Sequence, residues 1–405
     1  SAWLCVTISN SPPRYCGPFH MNLPVTRKNI FIFILAASIA STIGGLPFNS
    51  LPVMLGSLAD SFYLDSRSLG NIGSICFAGY LLGTLGAPFW INRLNWRTLT
   101  IASTLGTSGA FAVSSQLTNI EALYLAWAFI GFFASTMTCL GMRILADLPD
   151  KVRAFGARQG VELSITAAVL FALPPLIIAQ WHYPGAALAL AFVVGILGLS
   201  ALWVPKGPLL AIGEENEATT GHSRLALPRR SWICMSIFFI FLVGNIALWA
   251  FLERIGANLK LTGSEVGIVF AVLKLLGGAA AFFVAWIGDR ADARWAYWIV
   301  LLGVLVGLLF LLGADGFLPF ALGAWIWEFA FTCGCVLQVA GIARSDASGR
   351  AVVLVPAVFA LSSMIGPGLA GQLAAGGSFN GVLLLAAVCS VLPALVYSFW
   401  QPIEN

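Results

Sequence analysis

The sequence predicts an all-α integral membrane protein, with twelve transmembrane helices in two pseudo-symmetric six-helix bundles. Three observations predict it: a near absence of charge, twelve long apolar runs, and a set of landmarks repeated at one fixed spacing. Of the 405 residues, 59% are hydrophobic and 9% are charged. A soluble domain carries about 25% charged residues, so this chain cannot cover itself with a water-exposed surface. The mean hydropathy of +0.91 agrees.

The apolar runs fall at 29–57, 68–91, 98–116, 121–146, 155–180, 185–204, 232–257, 264–288, 295–314, 317–343, 350–375 and 380–400. Each reaches the roughly 20 residues that a spanning helix needs. Helices are required because lipid offers no partner to a backbone N–H or C=O. The chain therefore divides into a tail (1–28), a first bundle (29–204), a linker (205–231), a second bundle (232–401) and a short tail (402–405). The linker contains GEENEATTG and reads as flexible and polar. Residues 1–20 lack a long apolar run and hold Pro12-Pro13. They read as foreign sequence ahead of a natural start at Met21, and they are set aside from the fold.

Basic residues give the orientation. With both termini and the linker in the cytoplasm, all but four of the 21 lysines and arginines lie on that side. Arg67, Arg254 and Lys260 lie on the other, and Lys274 lies within a span. The opposite topology would violate the positive-inside rule. Short loops and the lack of a large outer domain point to the bacterial cytoplasmic (inner) membrane.

The repeat has one register. Leu64 and Gly70, in LDSRSLG, stand 197 residues before Leu261 and Gly267, in LTGSEVG. Arg93 and Arg290 share that offset, as do Arg153 and Arg350. An even number of spans per half makes the repeats parallel, related by an axis along the membrane normal.

Several function classes are disfavoured. The net charge of +4 is not gathered into a patch, so nucleic-acid binding has no support. Six of the eight cysteines sit in apolar runs as small hydrophobes. Cys333-Gly-Cys335 lacks zinc spacing and a nearby histidine, so neither a metal site nor a disulfide framework is expected. The histidines His20, His182 and His222 lie in loops or tails, which argues against a membrane-embedded enzyme. No GxxxxGK[ST] phosphate loop is present, no cofactor is expected, and no selectivity-filter-like segment suggests a channel.

Two six-helix halves, a cytoplasmic linker and short basic loops after the second and eighth spans resemble the major facilitator superfamily. That family's loop motif is approximately Gly-three residues-Asp-Arg-x-Gly-x-Arg. The second copy here keeps Asp289 and Arg290 and ends in Arg294. The first has Asn92 in place of the acid, then Arg93 and Arg97. The resemblance implies a gating role for these loop residues. It also implies a central cavity lined by helices 1, 4, 7 and 10. Trp127 stands four residues before Gly131, where proton-coupled drug exporters of the family carry an arginine. The stretch Met364–Gly371 is also family-like.

Charges within the spans are few, and an intramembrane charge usually faces the bundle interior and marks function. Glu328 lies mid-way along the tenth run, with Trp325, Thr332 and Cys335 on its face. It reads as a proton-coupling carboxylate or a solute ligand, against a buried structural acid. Lys274 lies mid-way along the eighth run on a face of Gly267, Ala271, Gly278 and Ala281. A Lys274–Glu328 pair that opens to an anionic solute or a proton is expected, against a static pair. Glu162 and Arg143 meet across the hairpin of the fourth and fifth runs, as a coupling site or as a structural bridge, with Arg158 as another partner for the acid. Asn245 and Trp249, Asn49, and Gln338 are neutral candidates, each a solute ligand or a helix–helix hydrogen bond. Glu253 and Arg254 read as interfacial charges near the headgroups.

These observations predict a secondary active transporter working by alternating access. It is expected to be proton-coupled, to act as a monomer in the bilayer, and to prefer a small aromatic organic acid. A drug/proton antiporter is the alternative, and a channel or non-transporting sensor follows it.

Overall fold

The computed structural model describes residues 27–148, 151–207, 227–287, 293–346, 351 and 354–400. Among the described residues, twelve long helices follow in chain order. The first six are α1 (Arg27–Phe62), α2 (Ser66–Ile91), α3 (Trp96–Ser114), α4 (Ile120–Ala146), α5 (Lys151–Ala172) and α6 (Ala179–Leu197). The second six are α7 (Arg229–Asn258), α8 (Gly263–Ile287), α9 (Ala293–Leu312), α10 (Phe317–Ser345), α11 (Val355–Leu373) and α12 (Asn380–Phe399). No strand occurs among the described residues.

Local chemistry sets several boundaries. Asp65, Asn95 and Asn119 cap α2, α3 and α4, their side chains accepting from the amides of Ser68, Arg97 and Glu121 at 2.9–3.0 Å. Such caps satisfy donors that a helix start leaves open. The Ser68 amide and side chain hold the Asp65 carboxyl below its usual range. Between α5 and α6, Leu173–Ile178 widens into a π-helical turn at Pro174-Pro175, which cannot donate to the ladder. The chain then reverses at His182, a non-glycine residue at φ +50°.

Nine segments of the described chain are long and apolar enough to cross a membrane. One of them, Ala157–Leu202, contains the α5–α6 hairpin. The helices outside the nine, α3 and α11, bury the hydroxyls of Thr100, Thr107, Ser362 and Ser363. Their hydroxyls return to carbonyls one turn back, as Thr100 does to Trp96 at 2.8 Å and Ser363 to Phe359 at 2.8 Å. A polar side chain satisfied in this way can stay in an apolar bundle.

The contacts show the pseudo-symmetry. In the first six helices α2 packs on α4, α3 on α4, α1 on α5 and α3 on α6. In the second six the counterparts α8 on α10, α9 on α10, α7 on α11 and α9 on α12 recur, each shifted by six helices. The halves meet through α2 with α11, α5 with α8, and α1 with α7. At Gly70 an added Cβ would strike the Pro367 carbonyl, and at Gly267 it would lie 3.3 Å from that of Leu170. Pro367 and Leu170 are themselves 197 residues apart. The sequence repeat is thus also a repeat of contacts, with each half presenting the same glycine to the other.

Within a half, small residues bring backbones together in the way that drives association of helices in lipid. Gly131 of α4 meets the Cys76 carbonyl of α2, and Gly79 of α2 meets that of Ala128 of α4. Large apolar side chains such as Phe192, Phe282, Trp286 and Leu309 point outward. The face where α1 and α7 begin is called here the linker face, and the face where they end the distal face. Gly131→Val has no room for its side chain, and overpacking of this kind costs about 1–3 kcal/mol. A lowered midpoint of thermal unfolding in detergent, against an unchanged midpoint for Gly109→Ala at an open position, checks this.

Candidate functional site

The site is built around Lys274, on α8 and only 5% exposed. Its Nζ lies 3.8 Å from the centroid of the Trp249 ring and 5.8 Å from that of Phe48. A cation over an indole face is stabilised by about 0.5–2 kcal/mol, the more so when desolvated. The aromatic wall is continuous across the halves. Phe48 of α1 packs on Phe77 of α2 and Phe359 of α11, while Trp249 of α7 packs on Phe270 of α8. The Trp249 Nε1 donates to the Phe48 carbonyl at 3.1 Å.

Two carboxylates flank this ammonium, one from each half. Glu328 of α10 is 7% exposed and attracts Lys274 through space. Its carboxylate lies over Gly277, where an added Cβ would be 2.8 Å from Oε1 and 3.5 Å from the Thr332 Oγ1. Glu162 of α5 also acts on Lys274 through space. It lies against Gly45 of α1 and is paired with Arg158, one turn back on its own helix, at 2.7 Å. Asn49, buried on α1, lies beside it at Gly45. Among the described residues neither carboxylate is at ion-pair distance from Lys274. The ammonium therefore rests on a π-face between two acids.

Three expectations are corrected. Arg143 does not meet Glu162: it pairs at 2.8 Å with Asp147, the residue that caps the end of α4 four positions on. The Lys274–Glu328 pair is electrostatic but not direct, because the Trp249 face takes the ammonium. Glu253 and Arg254 are largely buried and pair within the protein. Arg254 bonds Asp60 of α1 at 2.8 Å and Glu253 at 3.1 Å, and the Glu253 carboxylate occupies the space over Gly56. Both line a cavity of about 710 Å³ at the distal face, with Ser57, Asp60 and His182.

The other candidates scatter. Asn245 donates to the Phe241 carbonyl and to Ser390 at 2.9 and 3.0 Å, and accepts from Trp327 at 2.9 Å. It ties α7, α10 and α12 together and leaves little capacity for a solute. Trp325 donates to the Val269 carbonyl at 3.0 Å. Gln338 is fully buried, and neither amide atom has a partner among the described residues. Arg93 and Arg294 are exposed, and Arg97 donates to the Val204 carbonyl at 2.7 Å, holding the start of α3 to the end of the first bundle. Asp289 and Arg290 lie outside the described residues. Trp127, in the exporters' arginine position, donates to Tyr183 at 3.1 Å within the first bundle. Sequence reasoning missed Phe48, because a search for polar residues passes over an aromatic.

The sequence profile of the Major Facilitator Superfamily matches residues 31–342. The chain belongs to the Major Facilitator Superfamily. No curated protein matches it significantly by sequence. Solved structures share its fold along nearly the whole chain. A D-xylose–proton symporter matches with a TM-score of 0.72 at 13% identity, covering 93% of this chain and 98% of its own. The nucleoside transporter NupG matches with a TM-score of 0.67 at 14% identity, covering 91% and 98%. A bacterial homologue of the human lysosomal transporter Spinster, inward-facing and unoccupied, matches with 0.69 at 14%, covering 91% and 97%. Identities this low establish the fold and leave the solute open. As a member of the Major Facilitator Superfamily the chain is a multi-pass membrane transporter rather than an enzyme, and Lys274 lies where its two halves meet.

Asn245 and Lys274 are expected to separate stability from function. Asn245→Ala leaves the Trp327 N–H and the Ser390 hydroxyl in want of a partner, at about 1–3 kcal/mol for each group left unsatisfied. Thermal unfolding in detergent should show the loss for Asn245→Ala and a smaller change for Lys274→Met.

Proposed function

We propose that the protein is a proton-coupled secondary transporter that carries a small aromatic organic acid by alternating access around Lys274. The observation that carries this reading is the charge balance of the site. Lys274 and Arg158 are offset by Glu162 and Glu328, so these four groups together are neutral. A bound monoanion would leave one negative charge in a low-dielectric cavity, at a cost of several kcal/mol. One proton entering with the anion restores neutrality, and Glu328, which has no direct ion pair, is the carboxylate placed to take it. The solute carboxylate then draws the ammonium off the indole, and the rings of Trp249, Phe48 and Phe270 hold its apolar body. Two parallel halves rocking about this midplane site give access to each face in turn. The named α1–α7 contacts run out to the distal face, and the excess of basic residues on the linker side supports a cytoplasmic position for that face, in a bacterial inner membrane.

Reconstituted protein tests the reading. Proteoliposomes should accumulate benzoate-like monocarboxylates when the outside is acidified, and an imposed membrane potential at equal pH should drive no uptake. Uptake that follows potential, or that ignores the pH gradient, would contradict a neutral proton–anion pair. Glu328→Gln should retain exchange of the acid between the two sides while losing the accumulation that an imposed pH gradient drives.

A further inference from the structure

The contacts between α1 and α7 climb from the site to the distal face. Phe48 meets Trp249, Gly56 meets Glu253, and Asp60 meets Arg254. On α1, Phe48, Pro52, Gly56 and Asp60 are spaced by four and form one stripe. Each member of the stripe has a distinct physical part in the seam.

Pro52 has no N–H, so the carbonyl of Phe48, four residues before it, lacks its usual helical donor. A carbonyl left open at membrane depth is costly and needs a partner elsewhere. The Trp249 indole supplies it at 3.1 Å from the opposite half. An indole has a single N–H to give, and the face of this same ring carries the Lys274 ammonium at 3.8 Å. Further out, the Asp60 side chain is 63% exposed in its pair with Arg254. Such a pair contributes little in water. The specific hold of the seam therefore sits at its inner end, in the site itself.

We propose that Trp249 is the positioning residue that ties the state of the Lys274 site to the state of the α1–α7 seam. Its edge holds the α1 carbonyl that Pro52 leaves open, and its face holds the ammonium. The ring cannot leave the seam without releasing Lys274. A ligand that draws Lys274 off the ring removes one of the contacts that fix the indole, and the seam then opens more readily. The identity of that ligand rests on the organic-acid reading above; the mechanical link between ring, seam and ammonium does not.

Ser57 reports on the seam. It is 3% exposed, lines the distal cavity, and its hydroxyl has no partner among the described residues, so Ser57→Cys should be tolerated. The rate at which a maleimide labels Ser57→Cys is measured in detergent-purified protein without solute, with the unsubstituted protein as background for the native cysteines. Gly56→Ala, whose methyl would strike Glu253, should label faster and shows that the assay reads the seam. Trp249→Phe keeps a ring and loses the N–H; it should label about two- to tenfold faster, the ratio that one lost hydrogen bond produces. Lys274→Met should also label faster, and the Trp249→Phe/Lys274→Met double variant no faster than Trp249→Phe alone, since both act through one ring. Pro52→Ala, which returns a helix donor to the Phe48 carbonyl, should shift the rate in the same direction and tests the bond even where Trp249→Phe does not fold. Parental rates for Trp249→Phe or for Pro52→Ala, with Gly56→Ala fast, would overturn the proposal. So would a parental rate for Lys274→Met, or a double variant whose effect is the product of the two singles. None of these outcomes depends on which solute is carried.

Discussion

The structure turns on an ammonium group buried where lipid and protein supply no water. An isolated charge at that depth is expensive on every scale, so the surroundings of Lys274 have to compensate it. They do so with an indole face and two carboxylates at a distance rather than with one close partner. Direct contact with Glu328 would bury a closed salt bridge, a stable arrangement that a solute would have to break. Resting on a ring, the ammonium makes no ion pair with either acid among the described residues. Gly277 and Gly45 make room for the two acids, and the glycines at the half–half contacts let the backbones approach closely enough to bring both to one place.

The same economy shapes α1. Pro47 and Pro52 lie inside a 36-residue helix, each freeing a carbonyl one turn back. In water a solvent molecule would take such a group. Here a side chain from the other half does, which turns a local defect of one helix into a contact between two bundles. Pseudo-symmetry accounts for the frame and for the Gly70 and Gly267 contacts. It does not account for this bond, since the α1–α7 seam lies on the axis and has no repeat partner.

Much of this frame is legible in the sequence, because its determinants are one-dimensional. Run length gives the spans, basic residues give an orientation, and a 197-residue register gives two halves whose contacts recur at Gly70 and Gly267. The charges that matter are also visible, since Lys274, Glu328 and Glu162 are rare in such runs. Their partners are less so. Arg143 and Arg158 stand at similar depths, and only side-chain geometry decides that Arg158 takes Glu162 while Arg143 takes Asp147. Asn245 and Trp249 share a helix face in sequence, yet Asn245 is spent on Ser390 and Trp327 while Trp249 faces Lys274. Glu253 and Arg254 sit where headgroup charges belong by position, and only the approach of α1 turns them inward. Phe48 carries no signal except Pro52 four residues on, which marks its carbonyl as open without saying what fills it.

The account stands on Lys274 as the anchor for an anion. The most direct measurement is the stabilisation of purified protein by an aromatic monocarboxylate and by its neutral amide, each added to the parent and to Lys274→Met. The account predicts a rise in unfolding temperature for the parent with the acid alone, and none for Lys274→Met with either ligand. An equal rise with the amide, or a rise that survives Lys274→Met, would contradict it.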